Sequence, residues 1–243
     1  MRNQNNINKV NNYRGWEYAQ RGDYHRHLDP NWSYAPTYLA KMKAVNEFMK
    51  SLPLSSAIVD VACGEGVLVE EFGNQGYNIK GIDLNYESDF VLRGDVRDLP
   101  YDDHTFDVVL FLDALEHLAY EDQPKALSEI YRVLKPKGTL FLSVPNLAHL
   151  NSRFQFFLKG ILDRPDSEIN HIGERPLCEY INLLVQHKFN ISKTTGITLT
   201  VPFVYRRIIC RNPAKYRWLH DLFEPIAKMV PFLSMLNNLI CSK

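Results

Sequence analysis

The chain has 243 residues, 45% of them apolar, which suits one globular domain with a full core. Lys+Arg and Asp+Glu both number 28, so no overall field draws the chain to nucleic acid. No run reaches the roughly 18 apolar residues of a membrane span, and cysteines 63, 178, 210 and 241 lack C-x-x-C or metal spacing, which points to reduced thiols in a cytosol. Residues 1–12 are polar and Asn-rich, read as disordered and without an apolar leader. From Tyr13 to Tyr38 the chain is polar but carries Trp16, Tyr18, Tyr24, Trp32 and Tyr34, rings that fit a segment wrapped on the core. Residues 36–50 repeat apolar positions at helical spacing and stop before Pro53.

Residues 57–61 are apolar and rich in β-branched side chains, a strand buried on both faces. Gly64 and Gly66 follow, where the backbone can turn sharply and approach a ligand, and residues 67–72 then start a helix. Residues 78–84 form a second strand ending at Asp83, an acid placed to accept the hydroxyls of a ribose. A dinucleotide fold requires a third glycine where this chain has Val69, and Asp60 would repel a pyrophosphate. An acid beside the bend suits a ligand with a cationic amino group.

Here Asp60-Val61-Ala62-Cys63-Gly64-Glu65-Gly66 resembles the first motif of class I S-adenosylmethionine-dependent methyltransferases: acid, three residues, Gly, any, Gly. Ala62 stands where many members carry glycine, a change that adds only a methyl group. The resemblance implies an α/β, Rossmann-like fold: a seven-stranded, mostly parallel sheet, the last strand antiparallel, with helices on both faces. It implies S-adenosylmethionine as cofactor, held by Asp60, Ala62, Cys63, Gly64, Gly66, Asp83 and Leu84, with Leu112 beside them. It also offers a second reading of the N-terminal aromatics, as a lid over cofactor and substrate. Residues 1–35 are then an N-terminal arm, and 36–243 a single methyltransferase domain.

Residues 90–96 read as a third strand. By resemblance, Asp95 accepts from the adenine amino group and Val96 meets the ring; otherwise Asp95 is a plain turn acid. Residues 106–112 are near-continuously apolar, a central strand. If a helix starts at Asp113, then Asp113, Glu116 and His117 share one face at i, i+3 and i+4. Asp113 and Glu116 would also make a capping box. A similar acid-x-x-Glu-His occurs in ubiquinone-pathway O-methyltransferases and small-RNA 2′-O-methyltransferases, where it holds a divalent metal with a downstream histidine. The resemblance thus marks Asp113, Glu116, His117 and His171 as candidates for base or metal ligand, with Asp113 one methylene shorter than the Glu of those families. His149 competes with His171 for the downstream role.

Residues 121–135 read as an amphipathic helix that ends at Lys135-Pro136-Lys137-Gly138, and 139–144 as the fifth strand, closed by Pro145-Asn146. This too resembles small-molecule methyltransferases, so the likeness covers residues 56–146. Residues 147–177 and 198–233 are insertions, read as a substrate cap. Within the first, residues 151–158 look helical and 163–171 form a polar loop ending at His171; helix 176–187 and strand 189–195 follow. Residues 201–220 hold Arg206, Arg207, Arg211, Lys215 and Arg217 and no acid. They fit either peripheral membrane contact or a cap with a solvated basic face. Residues 237–241 would be the last strand.

The function expected is methyl transfer at oxygen to a small-molecule, sugar or lipid-linked acceptor, in the cytoplasm or at a membrane surface. The alternatives are a binding-only relative and an RNA 2′-O-methyltransferase. No Asn-Pro-Pro-aromatic signature of DNA amino-methylases is present, so DNA is excluded as acceptor.

Overall fold

The structure, a computed structural model, describes residues 28–162 and 171–243. The disorder expected at 1–12, the rings at 13, 16, 18 and 24, and most of the 163–171 loop lie outside the described residues. In chain order the elements are α1 (Ala35–Lys50), β1 (Ile58–Val61), α2 (Val67–Asn74), β2 (Ile79–Asp83), β3 (Val91–Arg93) and β4 (Phe106–Leu112). After them come α3 (Gln123–Val133), β5 (Leu134–Pro145), α4 (Leu150–Lys159), α5 (Leu177–Gln186), β6 (Asn190–Leu199), α6 (Pro213–Met229) and β7 (Ser234–Ser242).

The seven strands form one sheet in the order β3-β2-β1-β4-β5-β7-β6. All neighbouring pairs are parallel except those of β7, which runs antiparallel to both β5 and β6. This is the Rossmann-like architecture expected from the sequence. The apolar strands are divided between two layers by their alternation. Ile58, Val108, Leu110 and Phe141 face Met42, Val45 and Met49 of α1, and Leu68 and Phe72 of α2. Val59, Val109, Phe111, Leu140 and Leu142 face Leu127 and Ile130 of α3, and Tyr180 and Leu184 of α5. β1 pairs with β2 on one side and β4 on the other, and the chain order reverses there, so the crevice beyond their carboxyl ends is the natural ligand position.

One expected element did not form. No helix starts at Asp113: that residue has φ 48°, and only a single 3-10 turn, Leu115–His117, follows, without a side-chain cap. Tertiary partners take the carbonyls a helix would use. Gly173 N–H donates to Glu116 O (2.9 Å), and Gln123 Nε2 donates to Leu115 O (3.1 Å) and Leu118 O (3.3 Å). The Asp113–Glu116 capping box is therefore absent, and α3 begins only at Gln123. The Lys135-Pro136-Lys137-Gly138 stop is a bulge within β5: pairing with β4 breaks after Leu134 and resumes at Thr139. β6 runs on to Leu199, past the expected end at 195, because β7 pairs with it along that length.

Candidate functional site

The bend after β1 is made of left-handed residues: Ala62 (φ 59°), Gly64 (φ 59°) and Gly66 (φ 76°). Ala62 is thus more than an added methyl group. A side chain in that conformation costs about 1–2 kcal/mol, which is why glycine suits the position. Two amides hold it there, Ala62 N–H and Cys63 N–H both donating to Ile82 O at 2.8 and 3.2 Å. At Gly66 no side chain fits, since a Cβ would come 2.3 Å from Val91 Cγ2. The close helix–strand packing that a third glycine would provide is made from the other side: Val69 on α2 lies against Gly81 on β2.

Asp83 ends β2 and turns its carboxylate into the bend, accepting from Gly64 N–H through Oδ2 (2.9 Å) and from Asn85 N–H through Oδ1 (2.8 Å). Burial raises its pKa, against the pull of these amides. Asp60 is also buried, within β1 one residue before its end. Cys63 lies between them, and burial together with Asp60 and Asp83 pushes its thiol far up, so it stays protonated. Leu84 and Leu112 are half-buried at the ends of β2 and β4. Asp95, beyond β3, is gripped by Arg97, whose Nε donates to both carboxylate oxygens at 3.0 Å and whose Nη1 reaches Asp122 at 2.8 Å. Arg97 holds the Asp95 carboxyl below its usual range. Asp95 also accepts from Arg97 N–H two residues on, so it serves as a turn acid in its own right. Val96 packs against the core beside it.

At the end of β4 the structure adds a residue the sequence reading passed over. Lys41 of α1 is 3% exposed and meets Asp113 Oδ2 at 2.6 Å. Ser143 Oγ of β5 donates to Asp113 Oδ1, and Asp113 N–H donates back to Ser143. Burial works against the Asp113 charge, but Lys41 and then Ser143 outweigh it and lower the pKa. Lys41 was visible as a charge set inside an apolar stripe, between Tyr38 and Met42 and four residues before Val45.

Glu116, His117 and His171 come together, their ligating atoms all within 4.8 Å of one another. Asp113, also a candidate base or metal ligand, lies outside this group, its carboxylate paired with Lys41 and Ser143. The two histidine rings meet edge to face, centroids 4.8 Å apart. Burial, then His117, pulls His171 down to about 4. Burial, then Asp113 and Glu174, pushes Glu116 well above the carboxylate range. Glu116 Oε2 and His171 Nδ1 are buried without a hydrogen-bond partner among the described residues. These two atoms, with a nitrogen of His117 within 4.8 Å, make a carboxylate and two imidazoles about one centre, a set that fits a divalent cation of the Zn or Mn type. His149, the competitor, is committed elsewhere: its Nδ1 bonds Thr200 Oγ1 (2.8 Å) and caps α4 at Ser152 N–H (3.3 Å).

Residues 59–142 match the methyltransferase-domain family model. Over those residues the chain is similar to a methyltransferase domain. Among curated proteins it is 30% identical over 138 residues to the ubiquinone biosynthesis O-methyltransferase of Ralstonia nicotianae, covering 49% of this chain and 56% of that protein. It is 31% identical over 120 residues to the tRNA (carboxymethyluridine(34)-5-O)-methyltransferase of Arabidopsis thaliana, covering 46% of this chain and 29% of that one. The chain therefore spans about half the length of these relatives, or less. Among solved structures the fold matches a SAM-dependent methyltransferase of Thermotoga maritima (TM-score 0.59, 16% identity, 93% of this chain and 97% of that one). It also matches the 1,6-didemethyltoxoflavin-N1-methyltransferase of Burkholderia thailandensis with bound S-adenosylhomocysteine (TM-score 0.55, 14% identity, 93% and 84%). In this fold the glycine bend, Asp83 and the Glu116–His117–His171 group all lie along the carboxyl edge of the sheet.

Proposed function

We propose that this chain binds S-adenosylmethionine between the 60–66 bend and Asp83 and passes its methyl group to an oxygen of a small-molecule or lipid-linked acceptor. The observation that carries this is the Asp83 carboxylate turned into the bend and bonded to Gly64 N–H, the posture that accepts ribose hydroxyls. Asp60 at the same bend suits the cationic amino group of the methionine arm, and Asp95 and Val96 stand where an adenine would lie.

Bound S-adenosylmethionine supplies an electrophilic methyl on a sulfonium. The chain's own part is to place the acceptor in line with that carbon and to take its proton. Where no cation is held, His171, lowered to about 4 and so a neutral imidazole at pH 7, is the group placed to accept the hydroxyl proton as the oxygen–carbon bond forms and the carbon–sulfur bond breaks. Glu116, His117 and His171 would hold a divalent cation, which would lower the pKa of an acceptor hydroxyl. The Lys41–Asp113–Ser143 cluster fixes α1 against the end of β4 and gives the acceptor side a rigid wall.

Two measurements test the reading. Calorimetry should show binding of S-adenosylmethionine and its demethylated product and none of NAD. A methyl-release assay over phenol, sugar, lipid and tRNA acceptors should then give turnover with one of the first three. Binding without turnover would mean a binding-only relative, and turnover on tRNA alone would move the acceptor to RNA.

A further inference from the structure

α4 and the segment after β6 lie side by side at the carboxyl edge. The Phe154 ring on α4 meets Phe203 edge-on, with centroids 5.5 Å apart. Each segment leaves large apolar side chains in solvent: Phe157 on α4 is 84% exposed, and Phe203 and Ile208 on the other segment are exposed as well. A π turn, Tyr205–Ile209, packs the second segment onto α6, and α6 extends the row. Trp218, Leu222, Ile226 and Met229 follow at i, i+4, i+8 and i+11, all exposed on one side, while His220 and Ala227 on the opposite side are buried. Single exposed apolar residues are ordinary; this many on three segments that pack on one another are not.

The charge on this face has one dominant sign. Arg206, Arg207, Arg211, Lys215 and Arg217 are exposed, and no acid occurs between Val201 and His220. The first acid beyond, Asp221, lies 3.7 Å from Arg217. Arg207 lies over the Phe203 ring, 5.3 Å from its centroid, so a cation and an apolar ring are presented as one unit.

We propose that the face made by α4, the π turn and α6 docks on an anionic lipid surface. Aliphatic and aromatic side chains would enter the acyl boundary while the guanidinium groups meet lipid phosphates. A nucleic acid would use the cations but has nothing for Leu222, Ile226 and Met229 to bury against. A second copy of the chain would set the same cations against themselves. Among the described residues no helix is long and apolar enough to cross a membrane. The consequence of docking is that the carboxyl edge, with Glu116, His117 and His171, is held near the bilayer.

The test is flotation of the full chain with phosphatidylcholine vesicles and with phosphatidylcholine–phosphatidylglycerol vesicles, at low and raised salt. Binding should favour the anionic vesicles by about ten-fold or more and weaken as salt rises. Arg207→Glu with Arg211→Glu should remove most of that preference, and Ile208→Ser with Leu222→Ser should weaken what survives at raised salt. The melting temperature of each variant reports folding. Brominated lipid should quench the fluorescence of the unsubstituted chain, and Trp218→Phe should lose that quenching, which reads the docking without a charge change. Equal binding to both vesicles, binding to neither, tRNA binding that anionic vesicles do not displace, or a dimer that shields Trp218 from a soluble quencher would each overturn the proposal. None of these readouts involves methyl transfer, so the docking and the catalytic reading fail separately.

Discussion

Replacing Lys41 with methionine removes the cation from a buried pair while keeping the bulk of the side chain. In the native chain the ammonium is 3% exposed and 2.6 Å from Asp113, whose side chain is 19% exposed. Breaking such a pair on one side leaves a charge without its counter-ion, a loss of about 3–5 kcal/mol. For a chain of this size about 3 kcal/mol lowers the melting temperature by about 6–12 °C. Adding Asp113→Asn should restore most of it, because asparagine tolerates the left-handed φ of 48° and keeps a partner for Ser143. The sign of the pH effect is fixed by the lowered pKa of Asp113. The pair stabilises the folded state above the unfolded carboxyl's pKa of about 3.9 and is lost as pH falls through the lower, folded value, so the gap between native and Lys41→Met should close in strong acid. Thermal melts of the four members of the cycle from pH 7 downward measure all of this. A coupling energy under about 1 kcal/mol, or a gap that widens in acid, would refute the account of how α1 is anchored.

Asp83→Ala should lower calorimetric affinity for S-adenosylmethionine by about 100-fold or more, from two hydrogen bonds to a charged acceptor at about 1.5–3 kcal/mol each; unchanged affinity would move the ribose elsewhere. Ala62→Gly relieves a φ of 59° and should gain up to about 1 kcal/mol in denaturant melts, offset in part by the looser unfolded chain, whereas a clear loss would mean that the methyl group packs usefully. A chelator should slow methyl release by the native chain, and Glu116→Ala or His117→Ala should make the residual rate indifferent to added Mn²⁺. A native rate that ignores the chelator removes the cation and leaves His171 as base.

What could be read without coordinates was mostly local. The 57–61 strand, the glycine bend, the 67–72 helix and the acid at 83 are coded by neighbours in sequence, and the structure keeps them together. The β4 run Phe106–Leu112 was legible because both of its faces are buried, so its apolar character is unbroken. Residues 113–117 were misread because their pattern satisfies the capping rules, while the backbone there answers to Gln123 and Gly173 from elsewhere in the chain. The approach of Lys41 to Asp113 spans 72 positions, and nothing in either neighbourhood names the other. Only the placement of a lysine on an apolar stripe hinted that something charged waited beneath. The full length of β6 was hidden for the same reason: its last residues are strand because Ser234 and Leu236 of β7 lie beside them.

That β7 threads between β5 and β6 bears on how the molecule comes off the ribosome. When β6 has emerged and β7 has not, two strands that are each one neighbour short face a gap the width of a third, with residues 200–233 between β6 and the strand that fills it. Each presents a row of idle amides and carbonyls to whatever passes, another nascent chain included. A pause in translation over that interval should therefore be where this sequence is most dependent on chaperones.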